Sequence, residues 1–61
     1  MNALRFKGWL AENNITQREI ADLLGLSQQS VYKKVNGKED FTLVQIKAIC
    51  ERYNISADIF L

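Results

Sequence analysis

The stretch "TQREIADLLGLSQQSVYKKVNG", residues 16–37, contains two short amphipathic segments that meet at Gly25. Apolar residues recur at the spacing of one helix face in both segments: Ile20, Ala21 and Leu24 in the first, Val31 and Val35 in the second. Helices of about two turns are unstable alone, so both must pack on each other and on neighbouring elements. Because glycine ends a helix without steric penalty, the stretch predicts two packed helices joined by a tight, steep turn.

The same helix-start signal recurs at five places. An Asn, Ser or Thr that can accept hydrogen bonds from free helix N–H groups has one apolar residue just before it and another four residues after it. The proposed caps are Asn2, Thr16, Ser27, Thr42 and Ser56. Two of them match the reciprocal capping box, Thr16 with Glu19 and Thr42 with Gln45.

Residues that tolerate the left-handed conformation mark the predicted helix ends: Asn13, Asn14, Gly25, Asn36, Gly37 and Asn54. The chain contains no proline, and no segment alternates between apolar and polar residues as a half-buried strand would. We therefore predict an all-α fold of five short helices and no sheet, in a single domain over residues 1–61.

Length and composition restrict the class of protein. A chain of 61 residues buries only about 60% of its unfolded surface, so its core must be small. One cysteine cannot form a disulfide within a chain, which favours a reducing, cytoplasmic setting. The sequence has neither a long apolar run nor a charged-then-apolar leader, so we expect no membrane span and no signal peptide.

The charges are unevenly distributed, although the net charge is only +1. Residues 1–38 carry six basic and three acidic side chains, whereas residues 39–61 carry two basic and four acidic side chains. One end is therefore basic and the other acidic, as in a small polarised binding protein. A solvated surface with chance asymmetry is the alternative explanation.

The outward face of the second segment is rich in amides and hydroxyls. On a helical wheel anchored by the two valines, this face and its N-terminal tip hold Gln28, Gln29, Ser30, Tyr32 and Lys33. Gln can pair with adenine through two hydrogen bonds, Ser can donate or accept, and Lys can reach guanine or a phosphate. Gln17 in the preceding helix and Lys38 after the turn are candidate phosphate contacts. The alternative is a polar face that only contacts solvent.

These residues resemble the lambda-repressor-like helix-turn-helix family, which includes phage Cro and repressor proteins. The resemblance is carried by Gln17, Ala21, Gly25, Ser27, Gln28, Gln29, Ser30, Asn36, Gly37 and Lys38. It continues through "FTLVQIKAICERYNISADIF", residues 41–60, which is similar to the fourth and fifth helices of that family.

The resemblance implies a five-helix DNA-binding domain with its helix-turn-helix at about residues 16–36. The helix that begins at Ser27 would enter the major groove, and the helix that begins at Thr16 would lie across the DNA backbone. It also implies DNA contacts at Gln17, Gln28, Gln29, Ser30, Lys33 and Lys38.

One pair of residues departs from the family pattern. Many members have an apolar residue at the place of Lys34 and an acid at the place of Val35, and this sequence reverses both. Because the wheel places Val35 inward, we hypothesise that it packs on Leu10 of the first helix.

No group of residues favours catalysis. Cys50 follows Leu43 and Ile46 on the predicted inward face of the fourth helix, and the chain has no histidine, so a core cysteine is the preferred interpretation. Glu39 and Asp40 are adjacent in a loop and are expected to be solvated rather than to form an acid–base pair. We predict no enzyme activity and no metal, cofactor or small-molecule ligand.

Apolar residues near both termini suggest a homodimer. A single 61-residue domain contacts too little DNA for high specificity. The candidate interface residues are Leu4, Ile59 and Leu61. Phe60 has the alternative of packing in the core. We expect a repressor that occludes a near-palindromic operator on double-stranded DNA. It would act in the cytoplasm of a bacterium or phage-infected host, associated with the nucleoid. The alternatives are an antitoxin that regulates its own operon and a helical adaptor whose glutamine-rich face binds a protein.

Overall fold

The computed structural model describes residues 3–61, which form four α-helices and a 3₁₀ turn. The helices are α1 (Ala3–Glu12), α2 (Gln17–Leu24), α3 (Gln28–Val35) and α4 (Leu43–Tyr53), and the 3₁₀ turn is Ala57–Phe60. No strand occurs in this part of the chain. The all-α prediction is confirmed.

The prediction of five helices is wrong for the last segment, Ala57–Phe60, which is a 3₁₀ turn and not an α-helix. Ser56 does cap a helical segment, but that segment makes hydrogen bonds over three residues, from Ile59 N to Ser56 O at 3.4 Å and from Leu61 N to Asp58 O at 3.0 Å. Such bonds wind a short segment more tightly than an α-helix. The wound segment carries Phe60 into the core.

Four of the five predicted caps are confirmed. The side chains of Thr16, Ser27, Thr42 and Ser56 each accept a hydrogen bond from the N–H group two or three residues later, at 3.1–3.2 Å. The fifth, Asn2, lies outside the described residues. Of the two predicted capping boxes, the one at Thr42 forms in full, with its N–H donating to Gln45 Oε1 at 3.0 Å, whereas Thr16 only accepts from Glu19 N.

Three of the helix connections use the same three-residue turn, in which a left-handed residue is followed by an apolar residue and then by the next cap. The three turns are Asn14-Ile15-Thr16, Gly25-Leu26-Ser27 and Asn54-Ile55-Ser56, with φ of 55°, 68° and 54° at their first residues. In each turn the apolar residue donates its N–H to a carbonyl of the last helical turn, at 2.9–3.1 Å. Its side chain packs against the core. One residue thus closes one helix and anchors the next.

The core is a single cluster to which every helix contributes. Its members are Phe6, Leu10, Ile20, Ala21, Val31, Val35, Phe41, Ile49 and Phe60. Three phenylalanine rings meet at its centre, with Phe6 4.7 Å from Phe60 and 5.4 Å from Phe41 between centroids. Aromatic contacts of this kind add to the free energy of burial. Phe60 therefore packs within its own chain.

The last turn of α3 packs as the sequence predicted. Val35 is fully buried, as the helical wheel predicted, and it belongs to the same core cluster as Leu10 of α1. The Lys34 side chain instead lies against the loop that follows and is only 10% exposed. Its Nζ donates to Asp40 O at 2.9 Å, lies 4.0 Å from Glu39 Oε2 and lies 5.8 Å from the Phe41 ring centroid. Lys34 therefore closes the loop between α3 and α4.

The inward face of α4 differs from the prediction at its first turn. Leu43 is 85% exposed, although it was expected to face the core, and its neighbour Val44 is 79% exposed. The buried residue of α4 is Ile49, with Ile46 and Cys50 packed beside it. The first turn extends past the end of the core, where the loop residue Phe41 takes the buried position.

Candidate nucleic-acid interface

Helices α2 and α3 form a tightly packed pair around the turn at Gly25. Ile20 and Ala21 of α2 and Val31 of α3 are buried between them and the rest of the core. The small side chain of Ala21 allows the two helices to approach closely. Gly25 has φ 68°, a conformation that most other residues adopt only with strain. This geometry fixes the orientation of α3 relative to α2.

The opposite face of α3 is polar and open to solvent. Gln28, Gln29, Tyr32 and Lys33 are exposed, and Tyr32 retains 51% of its accessible surface. Ser30 is half-buried, and its N–H donates to the Ser27 cap at 3.1 Å. The structure thus places the amides in the first turn of α3 and the hydroxyl and ammonium groups one turn later.

Gln17 is the first residue of α2 and is half-buried. The free N–H groups and the positive end of the helix dipole at this terminus favour an anion such as a phosphate. Arg18, next to it in the same turn, is exposed. The sequence interpretation omitted this arginine, although its position directly after the N-terminal glutamine was a usable signal.

The end of α3 places a charged residue where the other helix ends place an apolar one. Gly37 has φ 79° and donates its N–H to Lys34 O at 3.2 Å, and Lys38 donates its N–H to Lys33 O at 2.8 Å. In the other three connections the residue at the place of Lys38 is apolar and packs on the core. Here it is an exposed lysine whose Nζ lies 5.8 Å from the Tyr32 ring centroid. The same backbone turn therefore presents a cation beside the polar face.

A polar contact from α1 fixes this end of α3. Lys7 Nζ donates to Asn36 Oδ1 at 2.8 Å, and Asn36 Nδ2 donates to Tyr32 O at 2.8 Å. The second bond satisfies a carbonyl in the last turn of the helix. The hydrogen bond between Lys7 and Asn36 was not predicted, because a contact between α1 and α3 depends on tertiary packing.

The candidate interface residues near the termini lie elsewhere on the molecule. Leu4 and Leu61 are exposed, and Ile59 is half-buried. Leu4 and Ile59 line one open groove on α1, whereas Leu61 is not part of its lining.

Cys50 is a half-buried free thiol. Burial raises the pKa of the Cys50 thiol, which lowers the fraction of reactive thiolate. Within residues 3–61, no group of three or more His, Cys, Asp or Glu side chains is placed to hold a metal ion. No helix in this part of the chain is long and apolar enough to cross a membrane.

The packed pair of helices, the glycine turn and the exposed polar face of the second helix define a DNA-binding helix-turn-helix regulator. The Helix-turn-helix family model matches residues 7–60, which is most of the chain. The protein therefore belongs to the lambda-repressor-like helix-turn-helix family. No curated protein and no solved structure matches it significantly.

Proposed function

We propose that the protein is a phage-type Cro or repressor protein that acts as a single domain over residues 1–61. It binds a near-palindromic operator as a homodimer and blocks access of RNA polymerase. The two α3 helices occupy major grooves one helical turn, about 34 Å, apart. It acts in the cytoplasm, on chromosomal or phage DNA of the nucleoid.

The polar face of α3 carries this proposal. Its inner side is held by fully buried valines, so its outer side cannot rotate into the core. Gln28 and Gln29 read base edges, and Ser30, Tyr32 and Lys33 contact bases or the adjacent backbone. Gln17 and Lys38 bind phosphates on either side of the groove.

Selection from a random pool of double-stranded DNA tests the proposal. At about physiological salt, non-specific phosphate binding is weakened, so enrichment reports sequence readout. We expect an inverted repeat whose half-sites lie one helical turn apart. If no sequence is enriched, and weak DNA retention vanishes as the salt concentration rises, the operator function is contradicted. The polar face of α3 would then be assigned to binding a protein partner.

The substitution Lys38→Ala should flatten the salt dependence of operator binding. With one phosphate contact fewer, binding releases about one counterion fewer, so the slope of log K against log salt becomes less negative by roughly 0.9. Fluorescence anisotropy at several salt concentrations measures this slope. Lys47→Ala is the matched control, because Lys47 is also exposed but lies on α4, away from the turn that presents Lys38. Equal slopes for both variants would contradict the assignment.

A further inference from the structure

An open groove of about 320 Å³ lies along the outer face of α1, between this helix and the 3₁₀ turn. Its lining consists of Leu4, Arg5, Gly8, Trp9, Glu12 and Ile59. Leu4 stands at its edge with 77% of its surface exposed. The groove is separate from the polar face of α3.

Gly8 lies in the interior of α1, where glycine is unfavourable relative to alanine. A Cβ atom built at this position would have nothing within 4 Å. Packing within the chain therefore does not require a glycine here. A glycine on an exposed helix face does leave room for a second backbone to approach closely.

Two opposite charges lie on either side of Gly8 along the groove. Arg5 and Glu12 are seven residues apart, which is about 10 Å along a helix, too far for a direct ion pair. Within residues 3–61 neither side chain forms a salt bridge, although Arg5 donates one hydrogen bond to Asp58 O at 3.1 Å. The guanidinium has further N–H donors for a carboxylate.

An antiparallel copy of α1 that crosses at Gly8 would account for the open groove, the exposed glycine and the two opposite charges. A two-fold axis at that glycine sets Arg5 of each copy beside Glu12 of the other, so the charges are complementary twice. The exposed Leu4 side chains and the half-buried Ile59 side chains become covered in the same step.

We propose that a second copy of this chain docks in the groove, α1 against antiparallel α1, with the crossing point at Gly8. The inference rests on the proposed dimeric function and specifies the contact that makes the dimer. A small-molecule ligand fits less well, because its site needs polar groups that converge inside the pocket, and here the opposite charges flank the glycine.

The substitution Gly8→Gln separates docking from folding. The longer side chain has open space in the monomer but occupies the crossing point, so we expect the dimer dissociation constant to rise at least tenfold. Because glutamine favours the helix, the melting temperature of dilute, monomeric protein should rise by about 3 °C. Gly8→Ala is the graded comparison, since a methyl group should weaken docking less than the longer glutamine side chain does. Sedimentation equilibrium measures the dissociation constant, and the emission of Trp9, the single tryptophan in the groove, reports docking independently.

Charge reversal tests the pairing itself. Arg5→Glu alone and Glu12→Arg alone should each weaken self-association, because like charges then face each other. An equimolar mixture of the two variants should form a heterodimer, because one copy carries only acidic and the other only basic groups at these positions.

The outcomes are separable from those of the DNA selection. A protein that stays monomeric at micromolar concentration, or a dimer that Gly8→Gln leaves intact, overturns the α1 interface even where an operator is enriched. A dimer that is sensitive to Gly8→Gln but enriches no DNA supports the interface and contradicts the operator function.

Discussion

Val35→Glu should unfold the protein at room temperature. Val35 is fully buried in the same core cluster as Leu10, and an unpaired carboxylate placed there loses its hydration without gaining a partner. An unpaired charge in such a position costs about 3–5 kcal/mol. The core of a 61-residue domain rarely supplies more than about 3–5 kcal/mol of stability, so little or none remains. Circular dichroism during urea and thermal unfolding measures the loss.

Val44→Glu is the matched control for this prediction. It makes the same chemical change at a valine that solvent already reaches, so the unfolding midpoint should move little. Equal midpoints for the wild type and Val35→Glu would show that the last turn of α3 is not anchored in the core.

Local chemistry explains why most of the fold was predictable from the sequence. A cap or a left-handed residue depends on backbone groups within a few positions. Local sequence is therefore enough to predict the caps at Thr16 and Ser27 and the helix ends at Gly25 and Asn54. The inward positions of α3 follow from the helix period, because Val31 and Val35 are four residues apart. The same period defines which side chains of α3 remain exposed.

The features that were missed depend on tertiary packing. A helical wheel gives the direction of Leu43 but not its height along α4, so it could not show that the first turn extends past the core. The long side chain of Lys34 reaches a loop carbonyl six residues later in the sequence. The side chain of Lys7 on α1 reaches Asn36 at the end of α3. The 3₁₀ turn at Ala57–Phe60 carries Phe60 onto Phe6, a contact between the two ends of the chain that the helix period does not specify.

Gln28→Ala and Gln29→Ala should each weaken operator binding by about 1–3 kcal/mol if the amides pair with adenine. This is roughly a 5- to 150-fold loss of affinity. Both side chains lie on the exposed first turn of α3, so their removal should leave the unfolding midpoint nearly unchanged. Titration of the selected operator and of a random duplex of equal length, at one fixed salt concentration, measures the two affinities.

The ratio of those affinities decides what each glutamine does. A base contact is lost only on the operator, so Gln28→Ala or Gln29→Ala should lower the ratio, whereas Gln17→Ala at the start of α2 should weaken both complexes alike. The buried valines fix the helix face that presents Gln28 and Gln29, and this is why a change in the ratio can be assigned to one side chain. An equal loss on both duplexes would place these amides on the phosphate backbone and leave Ser30, Tyr32 and Lys33 to read the sequence.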